Sequence, residues 1–210
     1  MSYRFYFYNY IKMSDKDLFP KWGQIFDLRF VNSPYDQVNY GSKYSFRTTL
    51  YFPGLFNHHS LKIKAGIEKQ KPQRFLYFNS LNFPRGYYNR ISKELQTFSA
   101  EYTLPLFYPD LNISWITYFK RIKGSLFYDY AQGTGNYIYD NSSPKWKLLN
   151  SGKEFFGSIG GKLITDFYVL RIPFPLSLGI RYIYKLKTNT YKTELFFNID
   201  IFGFNINRVP

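Results

Sequence analysis

The chain of 210 residues is nearly one-quarter aromatic, with 22 Tyr and 23 Phe, yet its mean hydropathy is only −0.36. Its length suits one domain, no stretch reaches the roughly 18 uncharged apolar residues of a transmembrane helix, and the lack of cysteine excludes a disulfide framework or a thiolate metal centre. The 28 basic residues against 14 acidic ones are dispersed rather than gathered into one stripe, which argues against a nucleic-acid partner and for anionic lipid headgroups.

Along the chain the side chains alternate apolar and polar in short runs, the period of a β-strand between two unlike surroundings. The first run, Tyr3 to Ile11, is followed by a turn-like segment, Ser14-Asp15-Lys16-Asp17, ending near Pro20. From Gly23 to Val31, Phe26, Leu28 and Phe30 oppose Asp27 and Arg29; Asn32 to Gly41, which carries Pro34, reads as a loop. From Tyr44 to Phe52, Phe46, Leu50 and Phe52 oppose Ser45, Arg47 and Thr49, and Pro53-Gly54 predicts a tight connection. From Ser60 to Glu68, Leu61, Ile63, Ala65 and Ile67 oppose Lys62, Lys64 and Glu68.

A long segment, Lys69 to Gln96, precedes the cleanest run, Thr97 to Phe107. There Phe98, Ala100, Tyr102, Leu104 and Leu106 point one way, and Thr97, Ser99, Glu101 and Thr103 the other. After a Pro109-Asp110 turn, Ile122, Gly124, Leu126, Tyr128 and Tyr130 oppose Arg121, Lys123, Ser125 and Asp129. Gln132 to Lys153, rich in Gly, Asn, Ser and Tyr, reads as an exposed loop. Phe155 to Leu170 then sets Ile159, Leu163, Phe167 and Val169 against Ser158, Lys162 and Asp166, before a turn between Pro173 and Pro175. Leu176, Leu178, Ile180, Tyr182 and Tyr184 oppose Ser177 and Arg181; in the last run Leu195, Phe197, Ile199 and Ile201 oppose Glu194, Asn198 and Asp200. The remaining residues, Gly203 to Pro210, run past the last predicted strand.

These runs make about nine strands, long enough to cross a bilayer when tilted. Short, Pro-containing connections alternate with longer polar ones, as periplasmic turns alternate with outer loops in bacterial barrels. The expected fold is therefore all-β, an antiparallel transmembrane β-barrel in the bacterial outer membrane. An odd strand count does not close as a purely antiparallel barrel. The aromatic start, Met1 to Tyr10, also lacks the basic region and uninterrupted apolar core of a signal peptide. Both suggest the C-terminal part of a longer barrel of about 16 strands.

With Phe83-Pro84-Arg85-Gly86-Tyr87 in view, the chain resembles the bacterial surface-antigen superfamily, which includes the insertase BamA and the two-partner-secretion transporters. In that family a long outer loop folds into the lumen, and its Arg-Gly-aromatic tip contacts acids on the next two strands. Arg85, Gly86 and Tyr87 match the tip, Glu101 in Ser99-Ala100-Glu101-Tyr102 the first acid, and Asp129 in Phe127-Tyr128-Asp129-Tyr130 the second. Pro84 stands where the family usually has an aliphatic residue, and Ala131 where a glycine often follows the second acid. Tyr51-Phe52-Pro53-Gly54-Leu55-Phe56 through His58-His59-Ser60 is also similar to barrels of Bacteroidota envelope proteins, some with a periplasmic β-propeller ahead of the barrel. The resemblance implies a role in protein insertion or translocation, or as membrane anchor of a periplasmic domain. The partners it implies are outer-membrane lipid or lipopolysaccharide and a periplasmic domain or client proteins. Alternatives are a passive porin or adhesin-like barrel and a soluble basic β-sheet binding module.

Chemistry by itself suggests the same lock: a guanidinium offers a planar fork of donors to carboxylates, and two acids on adjacent strands need a cation between them. Catalysis is not expected, and neither a cofactor nor a metal is called for. His58 and His59 are adjacent on a strand or turn and poorly placed to share one ion. Phe156-Gly157-Ser158-Ile159-Gly160 lacks the glycine two places before the serine that a nucleophile elbow needs. Gly157, Gly160 and Gly161 read instead as a bend or a close-packing site. Glu101 and Asp129 could pass for an acid/base pair, but the arginine beside them argues against it.

Overall fold

The computed structural model describes residues 1–11, 17–35, 38–72, 76–113, 116–140, 145–169, 175–201 and 204–208. It is all-β, and every strand pairing is antiparallel. The strands are β1 (Ser2–Tyr10), β2 (Gly23–Tyr35), β3 (Val38–Pro53), β4 (Ser60–Pro72), β5 (Ser92–Phe107), β6 (Leu111–Ile113), β7 (Thr117–Asp140), β8 (Lys145–Val169), β9 (Leu176–Lys185), β10 (Thr190–Ile201) and β11 (Phe204–Arg208). They form one sheet in chain order, except that short β6 pairs with β7 off the main path. Among the described residues β1 and β11 are not paired with each other, so the sheet is open.

Three expectations change. The tail past the last predicted run holds a tenth strand on the main path, β11, with Phe197 opposite Arg208. The predicted loop from Asn32 to Gly41 is instead mostly paired: β2 and β3 continue to Tyr35↔Val38, and the register shift falls between Asn32 and Pro34, where proline removes a ladder donor. The predicted loop from Gln132 to Lys153 is likewise the outer reach of two long strands, β7 of 24 residues and β8 of 25. Period-two patterning records a difference between the two sides of a sheet, not the ladder itself. Where the sides no longer differ, the pattern fades while the backbone still pairs. Only the β4–β5 connection is long at that end, and the alternation of short and long connections is weaker than expected. Most of the predicted Ser14–Asp17 turn and the Pro173 end of the last Pro-flanked turn lie outside the described residues.

The two faces differ as the alternation predicts, but with polarity inverted relative to a water-soluble sheet. Leu126 and Leu195 are 64% and 68% exposed, while Glu68, Asp129, Asp166 and Ser158 are at most 4% exposed. Ionisable side chains are almost never fully buried unless paired. The polar face is covered because residues 76–91, between β4 and β5, lie against it. Leu81 of this segment joins Leu95, Ala131 and Phe156 in a small core, with Phe83 and Tyr87 packed against it. From the opposite end, the stretch before β2 also turns inward. Leu18 is buried, and the Asp17 carbonyl accepts a hydrogen bond of 3.2 Å from Nη1 of Arg121 on β7.

Candidate functional site

The tip of the inward loop is a four-residue turn: the Tyr87 N–H donates to the Pro84 carbonyl at 3.3 Å. Gly86, in the third position, has φ +84°, which an L side chain rarely adopts and a turn of this kind requires. A Cβ there would also stand 3.1 Å from Cγ2 of Ile183, so the wall of β9 would have to give by a few tenths of an ångström to admit one.

This turn presents Arg85 to two strands at once. Its Nη2 donates to Oε2 of Glu101 on β5 at 2.7 Å, and its Nε lies 3.3 Å from Oδ2 of Asp129 on β7. The Arg85 backbone N–H donates to that same Asp129 oxygen at 3.2 Å. Tyr87 donates its hydroxyl hydrogen to the Gly157 carbonyl on β8 at 3.0 Å and accepts from the Lys187 N–H at 3.1 Å. The structure thus brings Arg85, Gly86, Tyr87, Glu101 and Asp129 into one cluster, with β5, β7, β8 and β9 as its walls.

Each acid has further partners. Glu101 takes Lys162 Nζ of β8 on its other oxygen at 2.7 Å. Asp129 accepts from Ser99 Oγ at 2.6 Å and, more weakly, from Ser158 Oγ at 3.5 Å. Ser99 faces Asp129 directly in the β5–β7 register, and Ser158 does so in β7–β8. Alternation and register together therefore name both serines as inward neighbours of this carboxylate.

Phe127 escaped the sequence reading because an aromatic on a polar face breaks the pattern. It turns inward beneath Arg85, whose guanidinium carbon stands 4.1 Å from the ring centroid. Directly across the ladder is Gly160, where a Cβ would meet the ring at 2.7 Å. The glycine is the space into which the ring lies flat, an arrangement in which an aromatic shields a strand glycine. The same motif recurs at Phe196 and Gly179, with Arg181 4.9 Å from the Phe196 ring. The close-packing role read for Gly157 and Gly160 agrees with their surroundings, whereas a Cβ on Gly161 would make only ordinary contacts.

The base of the loop is clamped by residues with no place in the Arg-Gly-Tyr motif. Lys43 of β3 donates to the Phe78 carbonyl and to Ser80 Oγ, both at 2.7 Å. Glu68 of β4 accepts the Ser80 N–H at 2.7 Å, and Gln70 donates to the Ser92 carbonyl at 2.8 Å. Glu68 and Gln70 share the inward face of β4 just before the chain leaves it, a position that sequence alone leaves without a partner.

The histidines part company. His58, with φ +64°, places Nδ1 3.0 Å from Asp17 Oδ1, while His59 Nδ1 lies 2.8 Å from the Tyr102 hydroxyl. Ser158 is fully buried, with its hydroxyl directed at Asp129. Among the described residues no group of three or more His, Cys, Asp or Glu is placed to hold a metal ion. No family model, no curated protein and no solved structure matches the chain.

Proposed function

We propose that this chain is the wall of a bacterial outer-membrane β-barrel of surface-antigen type, whose inward loop is locked into the lumen by Arg85. It serves protein insertion or translocation, or anchors a periplasmic domain, and performs no catalysis. The observation that carries this reading is the inverted polarity: large apolar side chains on the exposed face, ionised groups and a folded loop on the covered one. Water on the outer face would leave Leu28, Phe46, Leu126, Ile159, Leu163, Ile180 and Leu195 without a reason to share it. A bilayer supplies the reason.

The loop and the Asp17–Phe19 stretch enter from opposite ends, which favours a plugged barrel over a freely conducting porin. Extraction from membranes only by detergent, together with a gel mobility that shifts on heating, is the expected behaviour. A chain that stays in the aqueous fraction without detergent, monomeric and folded, would refute it. In planar bilayers the plugged lumen gives low or flickering conductance; a large, steady conductance would favour the porin reading.

A further inference from the structure

The space between the inward loop and the strand wall is a cavity of about 750 Å³, lined by nine Lys or Arg side chains against four carboxylates. Seven of the nine cations are already held, two each by Glu101, Asp166 and Glu194, and Arg47 by Asp27. Lys62 and Lys64 differ. They occupy successive inward positions on β4, opposite Glu101 and Ser99 across the ladder, and among the described residues neither has a carboxylate within ion-pair distance. Lys62 rests its ammonium 4.7 Å from the Phe19 ring and 5.3 Å from that of Tyr51. Residues two apart on a strand are roughly 7 Å apart, so the two ammonium groups feel each other as well as Arg85, and are drawn, beyond ion-pair distance, towards the Glu101 carboxylate.

A second observation concerns Arg85, which lines the same cavity. Nη1 of Arg85 is buried with no acceptor among the described residues, although Nη2 and Nε face the two acids. A buried donor without an acceptor and two unpaired like charges are both costly, and one anion answers both. Guanidinium forks and ammonium point charges together are the usual recognition elements for phosphate oxygens.

We infer that Lys62, Lys64 and the free edge of the Arg85 guanidinium form a lumenal site for a soluble, multiply charged phosphate-type oxyanion. The site needs only the covered face and the loop, so it stands or falls independently of the bilayer.

The test is calorimetric titration of inorganic pyrophosphate into the purified full chain in phospholipid-free detergent at constant ionic strength. Saturable one-to-one binding is expected, weakened at least about tenfold in Lys62→Gln/Lys64→Gln and unchanged in Lys69→Gln, whose exposed ammonium pairs with Glu94. Without pyrophosphate, the double variant should show a higher thermal transition than the parent, because it removes an unpaired like-charge pair. If it does not reach the compact, heat-modifiable form, the two single variants decide, each expected to bind at least about threefold more weakly. Absence of saturable binding by the parent chain overturns the inference. So does undiminished binding by the folded variants. A response to phosphatidylglycerol in mixed micelles with none to pyrophosphate also overturns it, by placing the phosphate site on the outer surface. Heat-modifiable mobility, read on the same samples, reports the barrel separately.

Discussion

Replacing Arg85 by alanine tests whether the loop is held by charge or merely by packing. The side chain is 18% exposed, and its partners Glu101 and Asp129 are 12% and 6% exposed, so the cluster is largely but not wholly out of water. Stripping one partner from a fully buried pair costs about 3–5 kcal/mol. That figure falls here because Glu101 keeps Lys162 and Asp129 keeps two serines. The lost guanidinium–Phe127 contact adds about 1 kcal/mol. A net loss of about 2–4 kcal/mol follows, which for a domain of this size lowers the transition by roughly 4–16 °C. The assay is the temperature at which the compact form converts to the slow form on a gel. Arg85→Lys should fall between parent and alanine, since one ammonium cannot fork to both acids. If Arg85→Ala converts at the parent temperature, the loop is held by Leu81, Tyr87 and the Lys43–Glu68 clamp alone, and the charge argument is wrong.

Gly86→Val places a β-branched residue at φ +84° against Ile183, and should cost about 2 kcal/mol or more by the same gel assay. Gly160→Ala drives a Cβ into the Tyr182 carbonyl of β9 as well as the Phe127 ring, so it should loosen the β8–β9 ladder, displace the ring and release the Arg85 tip, seen as faster tryptic cleavage after Arg90; cleavage at the parent rate would contradict the packing role of that glycine. Leu126→Arg on the exposed face should cost about 2–4 kcal/mol if that face meets hydrocarbon near mid-depth, but less than about 0.5 kcal/mol if it meets water. Denaturant titration in lipid bilayers separates the two.

Strands whose two sides differ were legible residue by residue: the predicted outward and inward sets of β4, β5, β7, β8, β9 and, as far as Ile199, β10 agree with the observed exposure. The reaches of β2, β3, β7 and β8 beyond those sets were not, because nothing in a polar Gly- and Asn-containing stretch marks a continuing ladder. Within the site, Ser99, Ser158 and Lys162 could be deduced from alternation and register once the acids were chosen. Phe127 could not, because an aromatic on the polar side looks like an error until Gly160 is seen opposite it. The Lys43–Glu68 clamp depends on where residues 76–80 land, and a loop has no period from which to read that.

The charge balance of the whole chain has a local counterpart. Asp27 is shared by Arg4 and Arg47, Glu101 by Arg85 and Lys162, Glu154 by Arg90 and Lys187, Asp166 by Arg121 and Lys123, and Glu194 by Arg181 and Lys192. Two cations per carboxylate is also the ratio of 28 to 14 in the composition. Among the described residues four of these clusters carry a residual positive charge, but the one around Glu101 does not: Arg85 also pairs with Asp129, so two cations face two carboxylates, and without Arg85 Lys162 alone would face both acids. The particular partner of Arg85 is Asp129, for which Arg85 is the one cation within ion-pair distance among the described residues. Glu101, with Lys162 in place, stays paired when the arginine leaves. The two acids that look equivalent in sequence are therefore unequal: Asp129→Asn removes what Arg85 alone compensates, whereas Glu101→Gln leaves Lys162 and Arg85 crowding a neutral amide. Arg85→Glu should be relieved by Asp129→Arg and not by Glu101→Arg, because Lys162 would then face a second cation across the vacated carboxylate. Equal relief by either swap would mean that the lock depends on total charge on the covered face rather than on this pairing.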